Sequence, residues 1–114
     1  MVARTWHGAV RREEADRYHE YLQRTGVRDL RATPGNRGVY VLRRLEGDRA
    51  HFLLISLWRA RADIRSFAGD DIGRARYYPE DEDFLLELES KVTHFEVLTG
   101  HDLFSAGGRK AGES

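Results

Sequence analysis

His51-Phe52-Leu53-Leu54-Ile55-Ser56-Leu57-Trp58 is the one long apolar run in this chain. Eight residues are a strand's length and far too few to span a bilayer. Side chains of a strand alternate between two faces, and this run has apolar residues on both. Such a strand is expected to be central and covered on both sides. Upstream, Glu46-Gly47-Asp48-Arg49 has the composition of a hairpin turn. It joins the run to an earlier strand from Arg37 or Gly38 to Leu45, in which Val39 and Val41 stand opposite Tyr40 and Leu42. Pro34-Gly35-Asn36 is turn chemistry before that strand.

The flanks fill in the rest. Val2 to Val10 reads as a strand with Val2, Arg4, Trp6, Gly8 and Val10 on one face and Ala3, Thr5, His7 and Ala9 on the other. Glu13 to Thr25 reads as a helix. Its first-turn acids favour the helix dipole, Ala15, Tyr18 and Leu22 keep helical spacing, and Gly26 supplies a stop. Val27 to Thr33 is expected to be a connector with a helical turn near Leu30. After the apolar run, Arg61 to Ala68 is a short helix burying Ile64 and Phe67, ended by Gly69. Asp70 is placed to cap another turn or two carrying Ile72, Ala75 and Tyr78, before Pro79 stops it. Glu80 to Asp83 reads as a solvated acidic loop, Phe84 to Leu88 fits either a helical turn or an extended piece, and Lys91 to Leu98 is a last strand.

The order is strand, helix, strand, strand, helix, strand. It predicts a ferredoxin-like α+β fold, with one four-stranded antiparallel sheet and both helices on one face. The other face would be left bare, and a second copy packed against it is the expected cover. The domain is assigned to residues 1–104 and a Gly-rich, polar tail to 105–114, expected to be disordered.

Composition narrows the partners. The chain has 114 residues, one domain's worth, with 19 basic residues against 19 acidic. A net charge of zero, with scattered arginines, argues against nucleic acid or a membrane surface as partner. Without cysteine there is no disulfide, thiolate metal site or thiol nucleophile. That fits a cytoplasmic location, as does an N-terminus with no signal-peptide pattern.

Several stretches taken together resemble the antibiotic biosynthesis monooxygenase family of the dimeric α+β barrel superfamily. They are Arg4-Thr5-Trp6-His7-Gly8, the helix with Tyr18 and Tyr21-Leu22, the turn from Ala32 to Gly38, and Phe52 to Trp58 followed by Ile64 and Phe67. Tyr77-Tyr78-Pro79-Glu80-Asp81 and His94-Phe95-Glu96-Val97 complete the set, which spans about residues 2 to 98. The resemblance implies a homodimer whose two sheets close one barrel, with a pocket between helices and sheet in each subunit. Members of the family include oxygenases that oxidise polycyclic phenols without metal or flavin, and others that bind and degrade haem. The haem-degrading branch uses an Asn, a Trp and a His, and these positions fall on Trp6, Phe67 and Tyr77 here. None is kept, although a Tyr can ligate haem iron.

Candidate site residues follow, each with a plainer reading beside it. His7 and His94 lie on strands expected to be neighbours and are candidate bases for a phenolic or benzylic proton. Either could equally be a strand histidine bonded to a neighbour or at a dimer interface. Arg4 and Arg43 are candidate donors to an enolate or phenolate oxygen, or else partners of a carboxylate across the sheet such as Glu96. Trp6, Phe67 and Tyr77 could wall a flat aromatic ligand, with Tyr18 as a hydrogen-bond donor, or could simply be core. No metal-ligand spacing and no serine-elbow motif occurs, so no metal or other cofactor is expected. The leading expectation is cofactor-independent oxygenation of a quinol or anthrone. The alternatives are a non-catalytic ligand-binding or stress-related dimer and a haem-binding protein.

Overall fold

The computed structural model describes residues 1–101; the last three residues of the expected domain and the tail from Ser105 lie outside them. β1 (Val2–Arg11) leads through a single 3-10 turn (Arg12–Glu14) into α1 (Ala15–Leu22), a π-helical turn (Gln23–Val27) and α2 (Arg28–Ala32). β2 (Asn36–Glu46) and β3 (Arg49–Trp58) form a hairpin, α3 (Arg61–Ala68) and the one-turn α4 (Asp81–Phe84) follow, and β4 (Thr93–Glu96) closes the sheet. The strands run antiparallel in the order β2-β3-β1-β4, the ferredoxin-like topology expected from the sequence. Gly47 turns the hairpin with φ of 58°, a conformation that costs glycine nothing.

Registers fix which side chains share a face. Trp6 stands opposite Leu54, His7 opposite Leu53, and Arg4 opposite both Ser56 and His94. Arg4, Trp6, Gly8 and Val10 therefore lie under the helices, and so do Phe52, Ser56 and Trp58. The core divides into two clusters. One gathers Trp6, Val10, Tyr18, Tyr21, Leu22, Phe52 and Leu85, and the other Leu30, Trp58, Ile64 and Phe67. Burying side chains of this size stabilises by roughly 1.5–3 kcal/mol each. On the far side of the sheet Tyr40, Leu42, Leu53 and Phe95 stay exposed, Phe95 by 53%. Among the described residues β3 is thus covered on one face only.

Three local expectations are corrected. The first helix does not stop at Gly26. Gly26 is buried inside the helical region, packed beside Tyr78 of the strap, where a Cβ would make only an ordinary contact at 3.8 Å. The chain widens into the π-turn, where the Thr25 hydroxyl donates to the Tyr21 carbonyl at 2.7 Å, and coils on to Ala32. The true stop is Thr33, extended at φ −80° and ψ 126° as a residue before proline must be. Second, Asp70 to Tyr78 forms no helix. Residues 73–75 pair instead with the chain before β4: Ala75 donates to the Ser90 carbonyl, Val92 donates to Gly73, and Arg74 bridges Lys91. Long-range pairing takes the backbone groups a helix would have used. Third, the last strand is shorter than expected, and Phe84 to Leu88 is helical only at Phe84. Leu85 bridges Val10 and Leu86 donates to the Ala9 carbonyl, so this piece runs extended beside β1.

Gly8 reports on the packing of β1. A Cβ there would fall 2.3 Å from the Trp6 ring and 2.9 Å from Leu85. Gly8→Ala is expected to destabilise by about 1–3 kcal/mol in urea unfolding, the usual cost of overpacking. Gly38→Ala, with nothing within 4 Å, should stay within about 0.5 kcal/mol of wild type.

Candidate functional site

A cleft runs along the seam between the two core clusters. Its floor is Arg4, Trp6 and Leu54 on the sheet, its sides are Tyr18, Leu22, Thr25, Gly26 and Leu30 from the first helical region and Phe67 from α3, and its roof is Arg76, Tyr77, Tyr78 and Asp81. The space open to the centres of water-sized spheres is about 30 Å³, enough for roughly two waters. The roof is the irregular strap between α3 and β4, which leaves α3 at Gly69 with φ of 88°.

Tyrosines and one carboxylate hold the strap down. Asp81 is 4% exposed. Its Oδ1 accepts from the Tyr18 hydroxyl at 2.8 Å and its Oδ2 from the Tyr78 backbone N–H at 2.7 Å. Tyr21 accepts from the Glu80 N–H at 2.9 Å, and the Tyr78 hydroxyl donates to Asp29 at 2.6 Å. Burial raises Asp81 above the ordinary carboxylate range, and the two hydrogen bonds only partly oppose it. Burial, then the nearby Asp81, keeps the Tyr18 hydroxyl firmly protonated. The expectation of a solvated acidic loop at 80–83 therefore fails at Asp81, whose place in the helical turn points it inward while Glu82 and Asp83 stay exposed.

The cationic side of the cleft is Arg4. It is 5% exposed, donates from Nη2 to the Arg74 carbonyl at 2.9 Å, and lies 5.5 Å from the centre of the Phe67 ring. Burial lowers its pKa to about 10, so it remains a cation at neutral pH. Arg76 lies 4.7 Å from the same ring and reaches Asp29 at 3.5 Å. Trp6 Nε1 donates to the Tyr77 hydroxyl at 3.2 Å, and that hydroxyl in turn donates to the Glu89 carbonyl.

Of the residues singled out from the sequence, Arg4, Trp6, Tyr18, Phe67 and Tyr77 meet in this cleft. His7, His94 and Arg43 do not. His7 and His94 cannot approach one another, because they fall on opposite faces of the sheet. His94 stands behind Arg4, outside the cleft wall, where burial and then the charges of Arg4 and Arg61 lower its pKa. His7 lies on the open face in a chain of hydrogen bonds: Glu89 at 2.6 Å, then His51 at 3.0 Å, which reaches Glu46 at 3.1 Å. Arg43 pairs with Asp16 of α1 at 2.9 Å on the edge strand. The carboxylate partner expected for Arg4, Glu96, stands opposite Val2 instead. Asp81 and Arg76 are the site residues the sequence did not single out. The proline-tyrosine context of Tyr78-Pro79 is the one local signal that the chain turns inward there.

Three solved structures, of two proteins, share this architecture. A candidate antibiotic biosynthesis monooxygenase from Nitrosomonas europaea superposes with a TM-score of 0.61 at 17% identity, over 87% of this chain and 100% of that one. The chain has the fold of the antibiotic biosynthesis monooxygenase-like proteins. The heme-degrader MhuD of Mycobacterium tuberculosis, with two hemes bound in its active site, gives 0.56 at 16% identity over 90% and 100% of the two chains. A mutant of MhuD with two manganese protoporphyrin IX molecules per active site gives 0.57 at 16%, over 90% and 99%. No family model and no curated protein matches by sequence. Likeness at this identity establishes the fold and leaves the reaction to the site. No helix among the described residues is long and apolar enough to cross a membrane.

Asp81 makes a pH-dependent contribution to stability. Its folded pKa is raised above the ordinary 3.8, so folding takes up a proton between the two values. The stability it lends is present below the unfolded pKa and lost as pH rises through the folded one. Asp81→Asn should therefore gain on wild type as pH rises from 3 to 7, read as the difference in urea midpoints. A difference that stays constant with pH would remove the raised ionisation.

Proposed function

We propose that this chain is a small-molecule pocket protein of the cofactor-independent monooxygenase type, acting on an electron-rich aromatic of quinol or anthrone class. The observation that carries the reading is Asp81: a carboxyl buried in an aromatic-walled cleft, raised by burial and without a cationic partner among the described residues. A base of that kind suits abstraction of a weakly acidic proton near neutral pH. Asp81 takes the role first assigned to a histidine, because neither His7 nor His94 lines the cleft.

The chemistry asks little else of the protein. Asp81 removes the proton from the substrate, leaving an enolate or phenolate that Arg4 stabilises as a fixed positive charge. The resulting carbanion gives its electrons to dioxygen, a carbon–oxygen bond forms, and protonation yields a hydroperoxide. Loss of water from it leaves a carbonyl at the former C–H carbon. Trp6, Phe67 and Tyr77 supply the dry slot that keeps the anion from solvent. The cleft holds only about two waters' worth of space as it stands, so the strap from Gly69 to Asp81 has to lift to admit a flat ring system.

A homodimer through the open face belongs to the same reading. Tyr40, Leu42, Leu53 and Phe95 make an apolar surface that no described residue of the chain covers. Haem is the less suitable ligand. Tyr77 takes the position of the haem-ligating residue, but its hydroxyl already accepts from Trp6 and donates to Glu89. Burial raises its pKa, which opposes the phenolate that iron would need.

Oxygen uptake with anthrone is the direct test. Wild type should consume oxygen, and Asp81→Asn should cut the rate by about 10²–10⁴, the usual worth of a general base. Unchanged uptake in that variant would dismiss Asp81, and no uptake by wild type that still binds anthrone would leave a non-catalytic binding protein. Light scattering at micromolar concentration should give twice the chain mass, falling to the monomer in Leu53→Glu. Haemin titration should leave the Soret band unshifted.

A further inference from the structure

Arg4 is a buried cation without a counter-charge among the described residues. Arginine is seldom fully buried unless paired, because a desolvated guanidinium needs a counter-charge. Arg4 forms no ion pair with any described residue; its Nη2 has a carbonyl, and its Nε is buried with no partner at all. The other charges around it do not compensate. Arg76 shares the Phe67 ring with it and adds positive charge, itself answered by Asp29. His94, directly across the strand pair, offers a buried Nε2 that is also without a partner, and it carries no negative charge. Asp81 lies in the same cleft, but its two oxygens accept from the Tyr18 hydroxyl and the Tyr78 N–H and not from Arg4.

We infer that the ligand brings the missing charge: the cleft takes an aromatic carboxylic acid, its carboxylate held by Arg4 and its ring system lying against Trp6 and Phe67 toward Asp81. A guanidinium presents a planar fork that a carboxylate fills with two parallel hydrogen bonds. The free Nε–H supplies one of the two directions such a pair needs. Arg4 on the floor then holds the ligand's own carboxylate and acts on the enolate only through space, while Asp81 on the roof receives the proton. This rests on the reading of the cleft as a ligand pocket, and it narrows the substrate class to acids.

A matched pair of probes tests it: 9-anthracenecarboxylate and the neutral 9-anthracenemethanol, titrated into the full chain and followed by probe fluorescence. Wild type should bind the carboxylate at least about tenfold more tightly than the alcohol, as expected for a charge-assisted hydrogen-bonded pair. In Arg4→Met the two affinities should come within about twofold. Equal affinities in wild type would overturn the inference while leaving the pocket standing. Binding of neither probe would sink the pocket reading and this one with it. A carboxylate preference that survives Arg4→Met would also overturn it. Should Arg4→Met fail to fold by circular dichroism, Arg4→Gln, which keeps an amide donor for the Arg74 carbonyl, is judged by the same outcomes.

Discussion

β1 is hydrogen-bonded along its whole length to β3, and on its other edge to β4 and to the chain at Leu85 and Leu86. A strand held on both edges cannot slip, since a one-residue shift would send every side chain to the wrong face. That constraint places the rest of the molecule. Its even positions put Arg4 and Trp6 under the helices, with Gly8 flat enough to let the Trp6 ring lie across it. Its odd positions send His7 to the open face. The chemistry available to the cleft is thus decided by parity along ten residues.

The cleft exists because the helical face does not pack as a single core. Trp6, Tyr18 and Leu22 close one cluster and Leu30 and Phe67 the other, and the seam between them is bridged by an irregular strap. Arg4 and Asp81 sit in that seam with opposite adjustments. Burial disfavours charge on both: it lowers the Arg4 guanidinium to about 10, which leaves it a cation at neutral pH, and it raises the Asp81 carboxyl above its ordinary value. On the opposite face, Glu89, His7, His51 and Glu46 form a continuous hydrogen-bonded row at the margin of the apolar surface.

The fold was legible because its signals are local and periodic. The run from His51 to Trp58, the Gly47-Asp48 turn and the alternation from Val2 to Val10 each report strand geometry from residues close in sequence. Four residues of the cleft were legible for the same reason, since the face of Arg4 and Trp6 and the helical stripes of Tyr18 and Phe67 point them to one interior. Asp81 was not. Four consecutive acids read as solvent-facing, and the hydroxyl of Tyr18, sixty-three positions away, is a partner that no local pattern announces. The segment after Asp70 misled in a similar way: its helical spacing is real, but pairing of Gly73 and Ala75 with residues 90–92 offers its backbone better partners.

The sequence by itself determined the strand and helix order, the face each β1 residue takes, and the apolar sheet surface left without cover. These follow from steric and hydrophobic patterns that each segment carries with it. Tertiary structure alone decided which ionisable groups share the cleft. It removed His7 and His94, brought in Asp81, and left Arg4 without a counter-charge. Those outcomes depend on where a long irregular strap comes to rest and on how much water it excludes, and desolvation is a property of the assembled neighbourhood that no stretch of sequence carries alone.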